Sequence, residues 1–141
     1  MLREYMGWTA VITGLVLLII VTCVVQSVTL RVFLRVWQRR KLPDQEFADK
    51  FFAGEQKGVA VKVRQLLAHY LPVNVERIQP GDLLVDDLGL SARLSRGLDL
   101  VAFVEDLEEE YKIKFGEEDY LRMQTFRDAV CIVAEKKSTV A

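Results

Sequence analysis

The stretch VDDLGLSARLSRGLDLVAFVEDLEEEY, residues 85–111, decides the fold of this 141-residue chain. Its first part is a turn signal, two aspartates and a leucine closed by a glycine. Its second part has a helical period: Leu100, Phe103, Val104, Leu107 and Tyr111 share one face, and Asp99, Glu105, Asp106, Glu108, Glu109 and Glu110 occupy the others. A stripe of that width must face a core. The spacing predicts a helix over residues 98–112.

The flanking segments supply the rest of that core. Val59, Val63, Leu66, Leu67 and Tyr70 predict a helix ending near Leu71 and Pro72, with Lys62, Arg64 and Gln65 on its polar side. Residues 72–89 form a long loop with Ile78, Leu84 and Leu88 as apolar plugs and a turn at Pro80 and Gly81. A short helix is expected over residues 117–123. Thr125 followed by Asp128 reads as a cap opening a last helix through Phe126, Ala129, Val130, Val133 and Ala134. No strand-like alternation occurs. The expected fold class is all-α, with a four-helix bundle over residues 58–137 and a tail at 138–141.

The amino-terminal part reads differently. Residues 9–30 contain no charged side chain, and as a helix they would span about 33 Å, enough for a hydrocarbon core of about 30 Å. The expectation is a single transmembrane helix; the run is longer than the apolar part of a cleaved signal peptide, and no small-x-small cleavage pattern precedes the basic stretch. Arg31, Arg35, Arg39, Arg40 and Lys41 follow the run and only Arg3 precedes it, so the carboxyl-terminal domain is expected on the cytoplasmic side. Trp8 and Trp37 would mark the two interfaces, with the basic run drawn to anionic lipid or serving only as a topology signal. Ala10 and Gly14 have the small-xxx-small spacing of weak helix dimers. Pro43 closes this anchor, taken as residues 1–42, and residues 43–57 read as a linker. Phe47, Phe51 and Phe52 within it are expected to pack on the domain or the membrane surface as a short helix.

Charge divides along the same line. The first 57 residues carry a formal charge of about +3 and the remainder about −4. An acidic domain excludes nucleic acid as its natural partner and favours a protein with a basic docking surface. Cys23 and Cys131 stand far apart with no disulfide or zinc spacing, and no metal site is expected. His69 has no nearby nucleophile and reads as a surface residue. With no nucleophile and base pair and no phosphate-cradling glycine loop, the chain is not expected to be an enzyme.

The run LPVNVERIQPGDLLVDDLG, with Ile78, Pro80 and Asp86-Asp87-Leu88-Gly89, resembles the first loop of the acyl carrier protein family. From Leu98 through LEEEY, Ile113 and TFRDAV the resemblance again runs without a gap, so it covers roughly residues 58–137. It implies the carrier-protein four-helix bundle and a serine carrying 4'-phosphopantetheine at the start of the second helix. Aligned from the helix side, that serine position falls on Gly97, which has no hydroxyl. Ser95 and Ser91 are the candidate substitutes, each off the family's spacing; Ser95 is also placed to cap the helix.

The resemblance further implies docking through the acidic helix, here Asp99, Glu105, Asp106, Glu108 and Glu109. Ala102 replaces a frequent family acid, and Arg93 and Arg96 add positive charge near the helix start. The leading expectation is a membrane-tethered carrier-like module without an acyl group or other cofactor, docking or regulating an enzyme of lipid metabolism. A working acyl or aminoacyl carrier on Ser95 or Ser91, and a structural subunit of a membrane complex, are the alternatives.

Overall fold

The computed structural model describes the backbone of residues 2–71, 73–90 and 97–140, and their side chains except at 2–10, 25–29, 31–33, 97 and 98. The chain forms two compact units, Met1–Leu34 and Arg35–Ala141. Six α-helices, a short 3-10 helix and no strand occur among the described residues; an isolated antiparallel bridge joins Leu83 and Thr125. The helices are α1 (Leu2–Trp37), α2 (Asp44–Phe51), α3 (Gln56–Leu67), α4 (Gly97–Tyr111), α5 (Glu117–Arg122) and α6 (Phe126–Val140), with the 3-10 helix at Val75–Arg77.

The first unit consists of α1 as far as Leu34. Residues 11–24 are exposed all round the helix, and the Thr22 hydroxyl donates back to the Leu18 carbonyl. The membrane reading of this segment is corrected by the structure: among the described residues no helix is long and apolar enough to cross a membrane. The assignment as a single-pass membrane protein with a cytoplasmic carboxyl-terminal domain is accordingly withdrawn. The side chains of Trp8, Ala10 and Arg31 lie outside the described residues.

In the second unit the apolar stripes meet. Val59, Ala60, Val63 and Leu67 of α3, Phe103, Val104 and Leu107 of α4, and Phe126, Ala129, Val130 and Val133 of α6 are buried in one cluster. The loop after α3 contributes Ile78, Leu84, Leu88 and Leu90, each 1% exposed or less. Its turn is tied locally: the Asp87 carboxylate accepts the Leu83 N–H at 2.9 Å, and the Leu88 N–H donates to the Leu83 carbonyl at 3.0 Å. Gly89 ends it at φ +79°, a conformation glycine adopts without steric cost. At α6 the Thr125 N–H donates to Asp128 at 2.8 Å and the Asp128 N–H to the Thr125 hydroxyl at 3.1 Å, the reciprocal cap expected from the spacing.

Residues 43–57 hold α2 and the start of α3. Phe47 is fully buried and its ring lies 5.3, 5.9 and 5.6 Å from those of Phe51, Phe52 and Phe126. Arg64 departs from the polar face its helical position suggested, because α2 packs over it and leaves it 0% exposed. Its guanidinium stands 4.2 Å from the Phe47 centroid and donates to the carbonyls of Val75 (2.6 Å) and Leu42 (2.9 Å) and to Asp44 (3.2 Å). Burial pushes its pKa below the ordinary arginine value, and the charges of Asp44 and Glu76 act against that shift.

Asp119 of α5 is 8% exposed. It accepts the Gly116 N–H at 2.7 Å and pairs with Lys136 of α6 at 2.7 Å. Burial acts to raise its pKa, but Lys136 and the Gly116 N–H outweigh that and hold it below the ordinary 3.8.

Two outcomes are expected. Phe47→Ala should cost about 3–5 kcal/mol in urea denaturation, the range for a fully buried aromatic, whereas Phe51→Ala, at a half-buried position, should cost less. For Asp119 the folded pKa lies below the unfolded one, so its contribution is present above pH 3.8 and is lost as pH falls through the depressed native value. Asp119→Asn should therefore lower stability at neutral pH and flatten the acid limb of the stability profile relative to wild type.

Candidate functional site

The site is built on α4. Gly97, Leu98, Asp99 and Leu100 form its first turn, and none of them carries a hydroxyl or thiol. Asp99 is half-buried there, where a negative charge complements the helix dipole. Ser91 and Ser95 lie outside the described residues, as do Arg93 and Arg96.

Once Phe103, Val104 and Leu107 face the core, the acids divide by neighbour. Asp106, half-buried, accepts a hydrogen bond from the Tyr70 hydroxyl at 2.5 Å. That bond to Asp106, helped by partial burial and the nearby charges of Asp99 and Glu105, pushes the Tyr70 pKa up to about 12. Tyr111 is likewise pushed up to about 12, by burial and then by Glu110. Glu110 pairs with Lys62 of α3 at 3.1 Å.

Glu108 turns towards the chain that follows α4. It takes the Lys114 ammonium at 2.7 Å and the Phe115 N–H at 2.8 Å, and these two bonds hold its carboxyl below the ordinary glutamate value. The helix ends with Lys112 at φ +54° and the Ile113 N–H donating to the Glu108 carbonyl, so Glu108 secures this terminus with both side chain and backbone.

Glu105 and Glu109 are different. Both are exposed and make no hydrogen bond or ion pair among the described residues. With Val101, which is 45% exposed, they recur every four residues and form one stripe along the outer face of α4. An open depression lies on each side of the carboxyl-terminal half of the helix. One is lined by Leu66, His69, Tyr70, Asp106, Glu109, Glu110 and Lys112, the other by Glu105, Glu108, Glu109, Lys112, Ile113 and Lys114. Glu109 and Lys112 border both.

The basic run lies in the second unit from Arg35, in the last turn of α1, onward. Arg35 and Arg40 are exposed, Arg39 pairs with Asp82 at 2.6 Å, and Lys41 stands 3.9 Å from Glu76. Trp37 is 60% exposed and lies beneath the Arg77 guanidinium. His69 is exposed, with one ring nitrogen 3.2 Å from the Leu66 carbonyl. Among the described residues no group of three His, Cys, Asp or Glu side chains can hold a metal ion, and both cysteines are free thiols. The Tyr70–Asp106 bond and the turning-in of Glu108 were not read from the sequence; the only signal was the placement of Tyr70 at the end of α3's apolar stripe.

What the arrangement offers is an outward acidic stripe on a helix fixed to its core. No protein-family model matches the chain. An acyl carrier protein from Solidesulfovibrio magneticus is 32% identical over 79 residues, which is 56% of this chain and 95% of that protein. An acyl carrier protein from Nitratidesulfovibrio vulgaris is 28% identical over 79 residues, 56% of this chain and 97% of that protein. With nearly the whole of each relative matched and an all-helical bundle to accommodate the match, this chain belongs to the acyl carrier protein family.

Proposed function

We propose that this chain is a carrier-like docking module that carries no acyl group and acts by presenting α4 to a partner protein with a basic surface, such as an enzyme of lipid metabolism. The observation that carries this reading is the start of α4 at Gly97. In the family the serine bearing 4'-phosphopantetheine opens this helix, and counting back from Leu98-Asp99 puts glycine in its place. A glycine offers no oxygen for a phosphodiester, so the residues of the first turn do not fit the group. The module needs no catalysis of its own, in keeping with relatives that are named as carriers.

Within this reading the six acids of α4 have unequal tasks. Glu105 and Glu109 supply the charge a basic partner would meet, Val101 adds apolar area beside them, and Glu108 and Asp106 keep the helix in place. Exposed charges of this kind act mainly on encounter rate and partner choice, and their effect weakens as salt is added.

The deciding experiment is the intact mass of the full chain after coexpression with a broad-specificity phosphopantetheinyl transferase. No gain in mass is expected. A gain equal to one phosphopantetheine arm would overturn the reading, and its loss in Ser95→Ala or Ser91→Ala would then assign the hydroxyl and establish a working carrier.

A further inference from the structure

We infer that residues 35–52 form a strap whose attachment to the domain and the order of the loop at residues 75–90 are a single cooperative event, with Arg39 and Arg64 as its two latches. Arg39 extends one guanidinium nitrogen to both oxygens of Asp82, at 2.7 and 2.6 Å. Asp82 is the hub of the loop. Its carboxylate also accepts the Gln79 N–H at 2.8 Å, and its carbonyl accepts the Phe126 N–H, the first amide of α6, at 3.0 Å. Its side chain is 6% exposed and that of Arg39 is 23% exposed.

The second latch runs the other way. Arg64 belongs to α3, but its acceptors are the Leu42 carbonyl and Asp44 in the strap and the Val75 carbonyl at the head of the loop. Backbone bonds close the seam: the Leu42 N–H donates to the Glu76 carbonyl at 2.8 Å, and Arg77 donates to the carbonyls of Arg39, at 2.7 Å, and Trp37. Lifting the strap would take Arg39 from the Asp82 carboxylate, the Leu42 N–H from the Glu76 carbonyl and the Arg39 carbonyl from Arg77, and it would turn the Arg64 guanidinium to water. The loop thereby loses bonds that order it from Glu76 to Asp82, which lowers the free energy of opening it. The coupling must then be reciprocal, since loosening the loop removes the strap's acceptors.

Hydrogen exchange on the full chain, followed by mass spectrometry, tests this. Arg39→Gln, made in the strap, should speed exchange at Asp82, Leu84 and Leu88 in the loop. Asp82→Asn, made in the loop, should speed exchange at Phe47 and Phe52 in the strap. Each effect should be roughly tenfold or more, with the amides of Phe103 to Leu107 in α4 unchanged. Wild-type exchange in sub-denaturing urea gives a readout that needs no variant: strap and loop amides should share one opening free energy and one urea slope, both lower than those of α4. Acceleration confined to the mutated segment, equal acceleration in α4, or separate urea slopes for strap and loop would overturn the inference.

Discussion

A buried guanidinium governs how this domain is put together. Arg64 sits within α3, where its neighbours are apolar, and a charge there is tolerable only if acceptors reach it. The helix cannot supply them, because its own carbonyls are engaged in the helical ladder. They come instead from the turn before α2 and from the 3-10 helix, with the face of Phe47 beneath. One side chain therefore dictates that two segments distant in sequence end beside the same turn of α3. Replacing such a charge with an apolar residue of similar volume is often harmless in proteins, whereas removing its partners is not.

Around that point the domain is organised in a hierarchy. Stripes on α3, α4 and α6 build the core by non-directional burial, and short polar bonds then fix where each connection runs. Asp82, Asp119, Asp128 and Glu108 are each spent on backbone amides or neighbouring cations. On α4 the exposed acids that keep no hydrogen bond or ion pair among the described residues are Glu105 and Glu109, on its outer edge.

Local features were legible from the sequence and distant ones were not. The α4 stripe, the turn ending at Gly89 and the Thr125–Asp128 cap follow from spacings of a few residues, and each is present. The carrier-protein likeness was readable for the same reason, because its marks lie in contiguous runs. Arg64 was misplaced because helical period alone puts it beside Lys62 and Gln65; its burial depends on α2, which meets it only in the folded domain. The α4 acids look alike in sequence, and only Tyr70, Lys62 and Lys114 tell them apart. The uncharged run near the amino terminus was plain, but the described part of α1 does not yield a helix that crosses a membrane.

Phe47 within α2 and Phe52 just past its end act as a ruler. Phe47 lies on the helix and Phe52 just beyond it, in extended backbone at φ −130° and ψ 162°, and both rings reach Phe126. A residue added between them would swing Phe52 by about 100° around the helix axis or shift it along the chain, and one ring would leave the core. The spacing from Phe47 to Phe52 is thus fixed by aromatic geometry, and natural variation in the chain should alter the exposed side chains between them while keeping the count between the rings.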